Sequence, residues 1–112
     1  MITSLDRALA LAGTHDLDDI DIAVGEGRMQ RWEGEQTVLI TELLQTPKRK
    51  TLLFFLAEGN LAEIKAMVPP ILLWAKREGC THAGFIGRFG WERVVAPELG
   101  FKTVATMMER EL

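Results

Sequence analysis

The 112 residues are enough for one domain with a modest hydrophobic core, and we expect a single domain over residues 1–112. The hydrophobic (47%) and charged (26%) fractions are those of a globular protein, and the net charge of −3 argues against binding nucleic acid through its phosphates. The lone Cys80 excludes an internal disulfide, no zinc-ligand spacing occurs, and no apolar run reaches the roughly 18 residues of a membrane span. We therefore expect a soluble, intracellular protein without a metal site and without a nucleic-acid or membrane partner.

Two helices are predicted first along the chain. Apolar residues recur at helical spacing from Leu5 to Ala12, and Gly13 ends the pattern. In the second helix Leu17, Ile20 and Val24 share one face. The acids before it (Asp16, Asp18 and Asp19) favour the positive end of a helix dipole, so we interpret them as a capped helix start and not as a metal site.

Three strands are predicted next, in the segments "RMQRWEG", "QTVLITELLQ" and "TLLFFLAEG". Short polar connections between them favour antiparallel hairpins. The third strand is apolar on both faces from Leu52 to Leu56, which is typical of a central, covered strand. The basic cluster Lys48-Arg49-Lys50 is interpreted as a solvated turn.

A third helix is predicted after Asn60, because Asn60 and Glu63 have the spacing of a capping box. Pro69-Pro70 predicts a kink or a restart near Val68, and Gly79 ends the helix. Its inward face would consist of apolar residues at helical spacing: Leu61, Ile64, Val68, Ile71, Leu72 and Ala75.

A fourth strand, "THAGFIG", should lie parallel and adjacent to the third, since a right-handed helical crossover joins them. The segment "WERVVAPEL" then predicts a short helix, and "FKTVATMMER" a last strand. We expect the core to include residues from four of these elements: Leu53, Phe55, Ile71, Trp74 and Phe85.

This order of elements resembles the GNAT superfamily of N-acetyltransferases, without its first and last strands. The resemblance is closer to small GNAT-like proteins of tailed bacteriophages and prophages, and it covers residues 16–112. Its segments are "GRMQRW", "VLITEL", "LLFFLAEGNL", "WAKREGC", "GRFGWERV" and "LGFK". It implies an α/β (α+β) fold with a GNAT-like mixed, mostly antiparallel sheet and helices on both faces, in the order α-α-β-β-β-α-β-α-β.

The resemblance also locates a cofactor loop. In active GNAT enzymes, a Gln/Arg-x-x-Gly-x-Gly/Ala loop after the central strand holds the pyrophosphate of acetyl-CoA through backbone N–H groups. Here "LAEGNLAEI" keeps Gly59 and Asn60 but has no second glycine and no arginine. Glu58 would place a negative charge beside the phosphates, which disfavours acetyl-CoA binding.

Many family members use a tyrosine as general acid, and this chain contains no tyrosine. We therefore assign no catalytic residue, although Glu42 and Glu58 are candidate general bases. Glu42 has the alternative of facing solvent from its strand. His82 and Cys80 are interpreted as structural residues, since neither has a catalytic partner at a diagnostic spacing.

The segment "GRFGW" follows the fourth strand and has two interpretations. Gly87 and Gly90 predict a tight strand-to-helix corner, which favours a structural role. Alternatively Arg88 and free N–H groups would bind an anion or a carboxylate, and Phe89 and Trp91 would cover an adenine or pantetheine arm. Candidate cofactor-binding residues under the second interpretation are Gly59, Asn60, Gly87, Arg88, Gly90 and Trp91. We favour the structural interpretation because the phosphate loop is altered.

We expect a phage-type GNAT-fold protein without efficient acetyltransferase activity and without a cofactor. It would act through contacts with a phage structural or assembly protein, in the host cytoplasm or in the virion. The altered loop, the missing tyrosine and three tryptophans (Trp32, Trp74 and Trp91) favour this view, because tryptophan is enriched at interfaces. The alternative is a divergent N-acyltransferase that uses acetyl-CoA, favoured by the fold order and the glycine corner.

Overall fold

The computed structural model describes residues 14–86, 96–106 and 108–112. The elements are α1 (Leu17–Gly25), β1 (Met29–Glu33), β2 (Val38–Thr46), β3 (Arg49–Glu58), α2 (Leu61–Arg77), β4 (His82–Phe85) and α3 (Ala96–Leu99). The helix predicted over Leu5–Ala12 lies outside the described residues, as does the first part of the helix predicted from Trp91.

The strands form one sheet in the order β1-β2-β3-β4. The first three are antiparallel neighbours, and β4 pairs with β3 in parallel, from Thr51 opposite His82 to Phe54 opposite Phe85. The mixed, mostly antiparallel sheet is therefore confirmed, as is the central position of β3. A strand with two paired edges and two covered faces needs apolar residues on both sides, which its sequence provides.

Helices α1 and α2 cover opposite faces of this sheet. Leu39 packs in a cluster with α2, whereas its neighbour Ile40 packs in a separate cluster with α1. Successive residues of a strand point to opposite faces, so the two clusters are two separate layers. The core residues of α1 are Ile20 and Ala23, and those of α2 are Ile64, Val68, Ile71 and Ala75.

The predicted core is confirmed at one position and corrected at four. Ile71 is buried, but Leu53, Phe55, Trp74 and Phe85 are only half-buried. The fully covered positions of β3 are instead Leu52 and Phe54, which face α2. The apolar run predicts that both faces of β3 are covered, but it does not indicate on which face the side chains are buried more completely.

The last predicted strand is wrong. Residues 101–106 and 108–112 form no strand, and Val104 is 84% exposed. Phe101 is held by ring contacts to Phe85 and Phe54, with centroids 5.1 and 6.4 Å apart. Beyond Phe101 no described residue pairs with the segment, and strand propensity without a pairing partner does not form a strand.

Helix α2 continues through both prolines as one 17-residue element and does not restart near Val68. Pro69 and Pro70 are exposed, so their rings point away from the sheet. Leu61, predicted to face inward, is 41% exposed because it lies at the edge of the buried face. Gly79 follows the C-cap with φ +91°, a left-handed conformation that suits a glycine after a helix end.

Replacing Trp74 tests how much the half-buried side of α2 contributes to the stability of the fold. Its ring meets Trp32 of β1 edge to face, with centroids 5.1 Å apart. Because the side chain is half-buried, we expect Trp74→Ala to lower the free energy of unfolding by roughly 2 kcal/mol, less than a fully buried tryptophan would. Urea unfolding would measure this, with the exposed Lys76→Ala as control. Equal stabilities of the two variants would contradict the packing role.

Candidate functional site

Strands β3 and β4 part at a β-bulge. Ile40 pairs with Leu56 and Thr41 with Phe54, so Phe55 is an extra residue on β3. Pairing with β4 ends at Phe54, and β3 continues to Glu58 without this neighbour. A bulge bends its strand and increases its twist, and the pairing with β4 ends directly before this bulge.

On the α2 side, aromatic and aliphatic side chains fill the start of this wedge. What remains is an apolar cavity of about 20 Å³, close to the size of one water molecule. Its lining comes from the sheet, from α2 and from Phe101: Leu39, Phe54, Ala57, Ile64, Val68, Phe85 and Phe101. Ligand pockets usually have several hundred Å³, which is far larger than this cavity.

The predicted cofactor residues Gly59 and Asn60 form the corner between β3 and α2. Gly59 has φ +135°, and a Cβ there would lie 2.2 Å from the backbone oxygen of Gln36. Asn60 caps α2: its Oδ1 accepts from the Glu63 N–H at 3.0 Å, and its own N–H donates to Thr37 Oγ1 at 3.2 Å. The corner is thus in close contact with the turn that joins β1 and β2.

Glu63 fixes that turn to the helix. Its carboxylate accepts the N–H groups of Glu35 at 3.1 Å and Gln36 at 2.9 Å. The expected capping box is therefore only half formed, because the Glu63 side chain reaches the hairpin and not the N-cap backbone. Hydrogen bonds from the Thr37 hydroxyl, the Gln36 N–H and the Glu35 N–H hold the pKa of Glu63 below its ordinary value of 4.5.

The candidate bases Glu42 and Glu58 do not come together. Both are half-buried on the α1 face, Glu42 opposite Met29 and Glu58 opposite Val38. Leu53 is the β3 partner of Glu42, and five residues of strand separate it from Glu58, roughly 17 Å. The two carboxylates therefore cannot act on one reacting group as a pair.

The remaining predicted site residues divide into two groups. Gly87, Arg88, Gly90 and Trp91 lie outside the described residues. Cys80 is half-buried against the α2 cluster, and His82 is exposed at the start of β4 with Nδ1 2.8 Å from the Thr81 hydroxyl.

A larger cavity of about 330 Å³ lies beside α1, where the sequence predicted no site. Three of its lining residues carry ionisable side chains: His15, Asp19 and Arg28. His15 also meets Phe55 edge to face, with ring centroids 4.8 Å apart, so the cavity adjoins the bulge on the α1 face. The spacing of His15 and Asp19 can be read from the sequence. The contact between His15 and Phe55 forms only in the folded chain.

No three His, Cys, Asp or Glu side chains lie together as a metal site within the described residues. No described helix has the length and hydropathy needed to cross a bilayer.

Solved structures share this fold. The tetramutant BH1408 protein from Bacillus halodurans aligns with a TM-score of 0.70 and 16% identity over 95% of this chain and 85% of that chain. A probable acetyltransferase gives 0.66 and 6% over 96% and 85%. The apo aminoglycoside antibiotic 6'-N-acetyltransferase AAC(6')-IG from Acinetobacter haemolyticus gives 0.65 and 12% over 97% and 92%.

The chain has a GNAT-like fold. At these identities the likeness concerns the fold alone. No protein-family model and no curated protein matches the sequence.

Gly59 should tolerate no side chain. We expect Gly59→Ala to lower the free energy of unfolding by roughly 3 kcal/mol or more, since it adds left-handed strain to a clash with the hairpin backbone. Gly25→Ala is the matched control, because a Cβ at Gly25 meets no atom within 4 Å. Chemical unfolding would compare them, and a Gly59→Ala protein as stable as Gly25→Ala would contradict the close contact.

Glu63 should make stability depend on pH. A carboxyl whose folded pKa is lowered adds stability above its unfolded pKa and loses it as pH falls through the folded pKa. We therefore expect Glu63→Gln to be less stable than the parent at pH 7, with the difference shrinking as pH falls below about 4.5.

Urea unfolding at several pH values would measure this dependence. The control is Glu35→Gln, whose exposed side chain accepts none of these bonds and should change stability little. If the free energies of unfolding of the parent and of Glu63→Gln differed by the same amount at every pH, the role of the Glu63 charge would be contradicted.

Proposed function

We propose that this GNAT-fold protein acts through contacts with a protein partner and does not transfer acetyl groups efficiently. The observation that supports this most is the corner at Gly59 and Asn60. Its backbone is in contact with the hairpin turn, and the Asn60 and Glu63 N–H groups are bonded within the chain. A pyrophosphate would need backbone donors at this corner.

Charge at the corner adds to this argument. Glu63 places a carboxylate in the first turn of α2. Two like charges about 4 Å apart repel by roughly 1 kcal/mol in water and about 4 kcal/mol near a protein surface. A diphosphate approaching this corner would meet such repulsion unless a cation compensated it.

The remaining chemistry of acetyl transfer is also weakly supported. The chain has no tyrosine to protonate a leaving thiolate, and Glu42 and Glu58 are too far apart to share one acceptor. The wedge on the α2 side has room for about one water molecule. These features favour a protein that uses the surface of this fold to contact a partner and does not use a cleft to bind a cofactor.

The partner we propose is a phage structural or assembly protein, met in the host cytoplasm or in the virion. Support for this class comes from the sequence segments that resemble small GNAT-like phage proteins, such as "WAKREGC" and "GRFGWERV". Under this proposal the protein needs no cofactor.

The alternative is a divergent N-acyltransferase that uses acetyl-CoA. One observation favours it: the 330 Å³ cavity on the α1 face adjoins Phe55, where β3 and β4 part. That volume suits a small acceptor, and His15 could serve there as a base.

Calorimetric titration separates the two functions. With acetyl-CoA or CoA, we expect binding weaker than about 100 μM, roughly −5.5 kcal/mol, and no appreciable turnover. The parent should be compared with Arg88→Ala, because Arg88 is the residue that could offset the acidic corner, and with Arg49→Ala as a control from the far hairpin. Micromolar binding that disappears only in Arg88→Ala would overturn the proposal and identify the glycine corner as a ligand site.

A further inference from the structure

The outer side of α2 carries an unusual stripe. Opposite its buried face lie five exposed residues, which we call the outer stripe: Ala62, Ala66, Pro69, Pro70 and Leu73. They cover about three turns without a charged side chain, and Leu73 is 52% exposed. The solvent side of a surface helix is normally polar, so this face has the composition of a contact surface.

The two prolines make the stripe more unusual. Without their N–H groups, the carbonyls of Lys65 and Ala66 lose their helical hydrogen bonds. A proline inside a helix is destabilising, and in this chain the exposed rings gain little packing to offset that cost. A rigid apolar surface that becomes covered on association would give these residues a role.

The two ends of the stripe have opposite charges. At the N-terminal end, the Glu63 carboxylate accepts the backbone N–H of Glu35, whose exposed side chain adds a second acid to this end. At the C-terminal end, Lys76 and Arg77 are exposed and Lys50 donates to the Glu78 carbonyl at 2.7 Å, which gathers three cations. Within the described part of the chain, neither Lys76 nor Arg77 takes part in an ion pair.

We propose that the outer stripe is the contact surface of a homodimer, in which two α2 helices pack antiparallel about a two-fold axis between Pro69 and Pro70. This axis places Leu73 of one copy opposite Ala66 of the other, so that a large side chain meets a small one. It also places the basic end of each helix beside the acidic Glu35 and Glu63 of the other. An apolar centre between opposite charges is self-complementary only in this antiparallel arrangement.

The dimer should be weak. A 17-residue helix is about 25 Å long, and one helix pair buries less than the roughly 1,600 Å² of a standard interface. We expect a dissociation constant of about 10 to 500 μM. The outer stripe faces away from the sheet, so the inference stands whether or not the β3–β4 wedge binds acetyl-CoA.

Analytical ultracentrifugation from about 5 μM to about 1 mM tests the proposal across that range. The parent should change from monomer to dimer, and Leu73→Glu and Ala66→Glu should remain monomeric. The matched control is Ile22→Glu on α1, since Ile22 is 55% and Leu73 is 52% exposed. Circular dichroism would establish that each variant is folded. A parent that stays monomeric, or a dimer that neither Leu73→Glu nor Ala66→Glu weakens, would overturn the proposal.

A charge exchange tests the antiparallel arrangement itself. Arg77→Glu should weaken dimerisation about fivefold or more, because two carboxylates then face each other across each end. The double variant Glu35→Lys/Arg77→Glu should restore dimerisation towards the parent value. A merely structural role of Arg77 predicts no such rescue, and a double variant weaker than Arg77→Glu alone would overturn the antiparallel register.

Discussion

The bonds between the Glu63 carboxylate and the β1–β2 turn are the constraint on which the arrangement of this fold depends. They join residues 27 and 28 positions apart in the sequence, and thereby position the first turn of α2 against one end of the sheet. Thr37 is 3% exposed and completes the link, because its hydroxyl accepts the Asn60 N–H. Together with the Lys50 contact at the other end of the helix, this attachment sets the direction of α2 across the sheet.

The same attachment lies next to the corner between β3 and α2. A GNAT-type loop binds phosphate with backbone N–H groups that have no other partner. Here a carboxylate of the chain lies in the first helical turn and takes up neighbouring backbone donors from the hairpin. The interaction that stabilises the entry to α2 thus occupies polar groups near the corner where a cofactor anion would lie. At the corner itself, the Asn60 and Glu63 N–H groups are also bonded within the chain, to Thr37 Oγ1 and Asn60 Oδ1.

Sequence patterns were sufficient where one segment determines its own environment. The apolar run of β3 indicated a central strand, and Asn60 indicated the start of α2, because each depends on local residues. Patterns failed where the partner was remote. Glu63 had the spacing to cap its own helix but bonds to the hairpin, and the segment after Phe101 has strand composition but no described strand beside it. The ring contact between His15 and Phe55 likewise joins two residues that the sequence separates by 40 positions.

Helix α2 accommodates its two prolines because of the same contacts. Inside a helix they are tolerated only where their rings can point outward, and the buried face of Ile64, Val68 and Ile71 leaves the outer side for them. Attachment at Glu63 holds the first turn, and the Lys50 contact with the Glu78 carbonyl holds the last. A helix fixed at both ends can lose two internal hydrogen bonds without fraying. The sheet therefore supports an apolar outer face that an isolated helix of this sequence would not sustain, and the surface available to a partner is a consequence of the contacts on the opposite side.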